Sequence, residues 1–157
     1  MDAGSILAID YGRARFGLAI TDAETRLPRP LATIERLNRN EDMRRLREIV
    51  REHGVHRIVV GLPLRLDGTR GEMAAEAVRF AERVRKQFGL PVELVDERLT
   101  SWEAERLLEE QSGRILHAHK RAKKKKERAT VDSVAASVIL KEYLESAGAT
   151  KSSRKNI

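Results

Sequence analysis

Residues Ile6–Ile9 form an unbroken apolar run, ILAI, between Ser5 and Asp10. A run this short, bounded by polar residues, reads as a strand buried on both faces, and the pattern predicts a strand over Ser5–Asp10. Tyr11–Ala14 contains Gly12 and the charged Arg13 and reads as a tight turn. RFGLAIT follows, with Phe16, Leu18, Ala19 and Ile20 apolar, and predicts a second strand over Arg15–Thr21. Two strands joined by a four-residue turn make a hairpin. Pro28 and Pro30 then interrupt the pattern, so Leu31–Ile34 is expected to be at best an edge strand.

From Asn40 the period changes. Met43, Leu46, Ile49 and Val50 recur at helical spacing, with Glu41 and Asp42 in the first turn, and predict a helix over Asn40–His53, capped by Asn40 and ended by Gly54. His56–Gly61 carries Ile58, Val59 and Val60 and reads as a buried strand. The loop LPLRLDG leads to a second helix, Thr69–Phe88, with Met73, Ala77, Phe80, Val84 and Phe88 along one stripe and Gly89 as its stop. Pro91–Asp96 is a further strand. Thr100 and Glu103 form a capping box for a helix to about Gln111. A basic connection, 112–129, is long enough to suggest a functional or disordered loop. Thr130 caps a last helix ending near Gly148.

A hairpin followed by alternating strands and helices predicts an α/β fold: a mixed sheet, antiparallel at first and then parallel, with helices on both faces. The chain has 157 residues, which fits one domain over 1–148 and a short basic, disordered tail over 149–157. In open sheets of this kind, sites form outside the carboxyl ends of the strands.

Charge narrows the function. The chain holds 31 Lys and Arg against 24 Asp and Glu, for a net +7. Residues 114–128, RILHAHKRAKKKKER, account for eight of the basic residues and a single acid, so the rest of the chain is neutral as a whole. Basicity so concentrated suits contact with a polyanion, whose counterions are released on binding. A merely solvated charge run would look the same. Cysteine is absent, which excludes disulfides, iron–sulfur clusters and thiol catalysis and fits a cytoplasmic setting. The longest nearly apolar runs, Val59–Leu64 and Val134–Leu140, fall far short of the ~18 residues that suggest a membrane span. The first ten residues carry two Asp and no Lys or Arg, which argues against a secretory signal.

Three carboxylates fall where the fold puts a site. Asp10 ends the first strand, Glu97 follows the strand PVELVD, and Asp132 opens the last helix. Distant in sequence, they converge in such a sheet only if the topology brings them together. Oxygen ligands of this type suit Mg²⁺ or Mn²⁺, and such ions activate water and stabilise the leaving oxygen in phosphodiester hydrolysis. Each acid also has a plainer explanation: a turn residue, a helix-dipole partner, or, for Glu97, an ion pair with Arg98. Asp96 is an alternative to Glu97, because adjacent strand residues face opposite ways.

DYGRARFGLAITD, VVGLPLRLDGT, VDERLTSWEA and VDSVAASVILKEYL resemble, in order and spacing, the four characteristic blocks of the YqgF family, also called RuvX. The resemblance spans Ile6 to Leu144. It implies an RNase H-like fold related to RuvC-type Holliday-junction resolvases, and a nuclease that matures the 5′ end of pre-16S ribosomal RNA. It implies Asp10, Glu97 and Asp132 as catalytic and metal-holding residues, with one tightly bound Mg²⁺ or Mn²⁺ and a second ion arriving with substrate, and it favours Glu97 over Asp96. Arg13 and Ala14 stand where the family has Thr or Ser and then Lys, and Arg65 stands where it has Asn, which touches substrate preference. Nucleic-acid contacts are expected from Arg13, Arg65, Arg98, Lys120, Arg121, Lys123, Lys124, Lys125, Lys126 and Arg128. Gly12 and Gly17 are expected to permit close approach at the site. Gly61, Pro63 and Gly68 are expected to shape the loop after the central strand.

Other classes stay open at this point. An ATPase of the actin and heat-shock type also begins with an Asp-x-Gly hairpin, but needs two such domains. A Holliday-junction resolvase or a DNA repair nuclease uses the same acids. A resolvase making paired cuts calls for a two-fold homodimer. A non-catalytic RNA-binding or transcription-associated module would keep the basic run and make the acids incidental. No reader of base edges or of the 2′-hydroxyl is visible to separate RNA from branched or single-stranded DNA.

Overall fold

The computed structural model describes residues 4–22, 24–62, 71–96 and 132–146. The first strand, β1 (Ser5–Tyr11), turns back into β2 (Arg15–Thr21) as an antiparallel pair with Asp10 opposite Gly17. The turn is tight: a Cβ on Gly12 would lie 2.5 Å from the Arg15 carbonyl oxygen, so the residue there has to be glycine.

The third strand is longer than its prolines suggest. β3 runs Pro28–Glu35, and Pro28 and Pro30 stand opposite Thr21 and Ala19 rather than outside the ladder. The strand lies at the edge of the sheet, where one side of the backbone has no neighbour to receive an N–H, so prolines two apart are tolerated. β4 (Val55–Leu62) pairs parallel with β1, and β5 (Val92–Asp96) parallel with β4, giving the order β3-β2-β1-β4-β5. The expected mixed sheet is thus present.

Two helices cover one face. α1 is Arg39–Glu52, and its cap is Asn38 rather than Asn40: the Asn38 Oδ1 accepts the Glu41 N–H at 2.8 Å. Gly54, just past its end, has φ 59°. α2 is Glu72–Phe88, beginning after Gly71 rather than at Thr69, and ending at Gly89 in the left-handed conformation. Leu7, Ile9, Phe16, Leu18, Ile20, Ile58 and Val60 point from the sheet into the core beneath these helices, against Leu46, Phe80 and Val84. Each such side chain contributes about 1.5–3 kcal/mol by leaving water, so this layer dominates stability.

The other face is built differently. A helix over 132–146, α3, lies on a sheet surface of small residues, Ala8 and Ala19, with Val59. Ala136, Ile139, Leu140 and Tyr143 are its buried stripe. Arg57 of β4 donates to the Tyr143 hydroxyl at 2.8 Å and to Glu93 Oε1 of β5 at 2.8 Å, pinning the far end of α3 across two strands. Small residues on the sheet allow the close approach that positions the helix start. Helices therefore flank both faces, as the order of elements predicts. Among the described residues, no helix is long and apolar enough to cross a membrane.

Candidate active site

A single row of residues crosses the sheet near the carboxyl end of β1. Asp10 stands opposite Gly17 of β2 and Gly61 of β4, and Gly61 stands opposite Val95 of β5. This row has the parity of Ala8, Ala19 and Val59, which pack on α3. Asp10, half-buried, is therefore on the α3 face, at the end of the sheet where α3 starts.

Asp132 is the first described residue of α3. A Cβ built on Gly17 would fall 2.0 Å from the Asp132 carbonyl oxygen and 2.9 Å from its Cβ. Only a hydrogen at position 17 lets the helix start rest directly on the strand. Because Gly17 is the register partner of Asp10, the same close approach brings Asp132 beside Asp10 on one face. Asp10 and Asp132 thus both border Gly17, Asp10 as its register partner and Asp132 through its main chain and Cβ.

The Asp132 carboxylate already faces a cation of the chain. Arg15 Nε donates to Asp132 Oδ2 at 2.6 Å, with both side chains half-buried. Arg15 lies two residues before Gly17 and so on the same face. The sequence reading missed this residue. The signal was present in RFGLAIT, where period-two alternation puts Arg15, Gly17 and Ala19 on one side.

The third acid, Glu97, lies outside the described residues, as do Arg98, Pro63, Arg65 and Gly68. The predicted helix Thr100–Gln111, the basic loop 112–129 with Lys120, Arg121, Lys123–Lys126 and Arg128, and the tail 149–157 lie there too. Among the described residues, no group of three or more His, Asp or Glu side chains is placed to hold a metal ion.

Arg13 is placed by acids of the other layer. Its guanidinium meets Glu76 of α2, with Nη2 3.0 Å from Oε1, and approaches Glu72 at 3.7 Å. The hydrogen bonds from Arg13 hold the Glu76 carboxyl below the ordinary glutamate range, against a smaller opposing effect of burial. The Tyr11 hydroxyl donates to Glu76 Oε2 at 3.3 Å. Arg36 Nη1 donates to the Tyr11 hydroxyl at 3.1 Å and to the Gly12 carbonyl at 3.0 Å, and Arg36 Nε donates to the buried Asp42 at 3.4 Å. The Arg36 guanidinium also sits 4.7 Å from the Phe16 ring centroid. These contacts hold the β1–β2 turn directly after Asp10, fixing the backbone on which that carboxylate rides.

Comparison with known proteins agrees with this architecture. A "Putative pre-16S rRNA nuclease" of Chloroflexus aurantiacus is 41% identical over 140 residues, covering 89% of this chain and 86% of the relative. A protein of the same name from Anaeromyxobacter sp. (strain K) is 43% identical over 139 residues, covering 88% and 95%. Among solved structures, Thermus thermophilus RuvC superposes with a TM-score of 0.50 at 13% identity, covering 92% of this chain and 96% of RuvC, a likeness of fold. Residues 4–146 match the family described as RuvX, Holliday junction resolvase, and the chain belongs to that family.

Proposed function

We propose that the protein is a divalent-metal-dependent nuclease that hydrolyses phosphodiester bonds of structured nucleic acid, with the 5′ end of pre-16S ribosomal RNA as its substrate. The observation that carries the reading is the meeting of Asp10 and Asp132 across Gly17. Residues remote in sequence are held on one face by a contact that no side chain at position 17 would permit. The name shared by the curated relatives supports the substrate.

The donor set fits a hard cation. Asp10 and Asp132 offer only carboxylate oxygens, and Asp132 holds a guanidinium at 2.6 Å, evidence of a strong local preference for positive charge. The family resemblance favours Glu97 over Asp96 as the third ligand. A bound Mg²⁺ or Mn²⁺ supplies activation of water and charge neutralisation at the leaving oxygen. The chain's own part is to hold the carboxylates in register. Asp10 is fixed by the sheet ladder and by the Arg36-braced turn, and Asp132 by helix packing and Arg15. Arg65, Arg98 and the basic residues of 114–128 grip the backbone beyond the cut, in the cytoplasm where ribosomal RNA is processed.

The family description favours a second reading, cleavage of four-way DNA junctions by a two-fold pair of copies. The deciding assay sets a pre-16S 5′ leader, a four-way junction and a single-stranded DNA side by side with Mg²⁺, with Asp10→Asn as control. Cleavage of the leader that follows metal and disappears with Asp10→Asn is expected. Preferential cutting of the junction would move the substrate to DNA, and cleavage surviving Asp10→Asn would refute the site.

A further inference from the structure

The two helices on the face opposite the candidate active site carry three arginines, Arg39, Arg79 and Arg83, that nothing above uses. α1 and α2 lie side by side, as Arg47 of α1 over the Phe88 ring of α2 at 5.5 Å shows. Both helices follow strands that end beside the site, so both begin at the catalytic end of the sheet. Arg36 lies in the connection between β3 and α1, Arg39 is the first residue of α1, and Arg79 and Arg83 are four residues apart on one side of α2. Arg36 is stacked on the Tyr11 and Phe16 rings, and both of those rings contact Phe80, one residue after Arg79 and three before Arg83. The Arg36 guanidinium thus stacks on a cluster that includes Phe80, the α2 residue lying between Arg79 and Arg83 in the chain.

Neighbouring acids are engaged elsewhere. Glu76 is taken by Arg13, Glu41 and Glu48 by Arg44, Glu82 by Arg85, and Asp42 by Arg36 and Arg45. Among the described residues, Arg39, Arg79 and Arg83 make no ion pair. Burial first, and then the positive charges of Arg39, Arg36 and Arg79, weaken the hold of the Arg83 guanidinium on its proton. The nearby acids are already bound by other arginines, Asp42 by Arg36 and Glu76 by Arg13, so the surplus of like charge here is relieved by a polyanion.

We propose that the α1–α2 seam is a second track for the phosphodiester backbone, in which Arg39, Arg79 and Arg83 contact phosphates of the strand that continues past the catalytic end of the sheet. This rests on the nuclease reading and adds to it a binding surface on the opposite layer. A planar guanidinium suits phosphate oxygens.

The test is equilibrium binding of a fluorescent pre-16S leader transcript to the full chain, in EDTA so that no cleavage occurs, over a KCl series. The triple variant Arg39→Gln, Arg79→Gln, Arg83→Gln is expected to bind with a salt slope shallower by roughly 2, at about 0.7 per single-strand phosphate contact. A charge-matched variant at the other end of the molecule (Arg29→Gln, Arg51→Gln, Lys86→Gln) is expected to keep most of the slope. If the triple variant does not fold by circular dichroism, Arg79→Gln alone, at an exposed position, is expected to lose about 0.7. A slope equal to wild type, or an equal fall in both charge-matched proteins, overturns the seam as a nucleic-acid contact and leaves an acidic protein surface as its partner. A wild-type chain that binds no nucleic acid in any salt would instead overturn the nuclease reading beneath it.

Discussion

Replacing Gly17 with alanine tests the junction on which the site depends. The added Cβ would meet the Asp132 carbonyl oxygen at 2.0 Å, and ordinary contact begins at 3.4 Å, so something must retreat by about 1.4 Å. β2 is held by ladders on both sides and has little freedom to move. The obstructing atoms are backbone, so no rotamer change relieves them. The start of α3 has to move off the sheet, carrying Asp132 with it and straining the 2.6 Å contact with Arg15. Overpacking of this kind costs about 1–3 kcal/mol, which for a chain of this size lowers Tm by roughly 2–4 °C per kcal/mol. A displacement of ~1 Å at a reacting centre lowers the rate on the order of 10²-fold. Gly54→Ala provides the comparison. It forces a Cβ into a left-handed backbone with φ 59° at the opposite end of the sheet, where nothing lies within 4 Å. Its strain is about 1–2 kcal/mol, similar in size but remote from the acids. Thermal melting followed by circular dichroism, with Mg²⁺-dependent cleavage of the leader measured well below either Tm, separates the two effects. Gly17→Ala should lose both stability and rate, and Gly54→Ala stability alone. Wild-type cleavage by Gly17→Ala would show that the approach of Asp132 to the sheet has no part in catalysis.

Asp10→Asn preserves shape and removes charge, so leader affinity in EDTA should stay within a few-fold of wild type while cleavage is lost, as gel-shift and cleavage assays on one preparation will show. Asp42 is buried and accepts from the Arg36 side chain and from the Leu37 N–H at 2.9 Å. Asp42→Ala should cost about 1.5–3 kcal/mol, as for hydrogen bonds to a charged group, and a urea midpoint unchanged from wild type would contradict that. The pH dependence follows from carboxyls whose folded pKa is depressed: Glu76 by hydrogen bonds from Arg13, and Asp22 by the backbone N–H groups of Thr25 and Glu24. Their stabilisation is fully present above the unfolded values, about 3.9 for Asp and 4.3 for Glu, and is lost as pH falls through the lower folded values. Melting temperatures should therefore hold steady from neutral pH to about 5 and fall below it, and Arg13→Gln should make that acid decline shallower. An identical decline in Arg13→Gln would remove Arg13 as the cause.

Most of the sheet was legible because its signals are local. ILAI and RFGLAIT fix a hairpin, and IVV and VELV fix parallel strands that need helical crossovers. The errors lie where two local signals compete. Asn38 and Asn40 both suit a helix cap, but only Asn38 has Glu three residues on, and that spacing is the one the structure uses. Thr69 looks like a helix start, yet the helix waits until after Gly71. Prolines read locally as breakers in β3, although an edge position spares the N–H that they lack. Asp10 stands out in the sequence from its place at a strand end, and Asp132 from the start expected for the last helix. What joins them does not. The contact of Gly17 with Asp132 and the pairing of Arg15 with the same carboxylate are long-range facts, set by how α3 docks on a surface of alanines. Spacing alone leaves the convergence of the three acids open, and the family resemblance implies it.

The central claim is that Asp10, Glu97 and Asp132 share one hard cation. Manganese is its direct probe, because its anomalous scattering in a soaked crystal locates the ion without reference to activity. A manganese peak touched by oxygens of all three carboxylates, absent in crystals of Asp10→Asn, is the predicted result. A crystal in which Mn²⁺ binds elsewhere, or in which the three side chains stand apart with no ion among them, would contradict it.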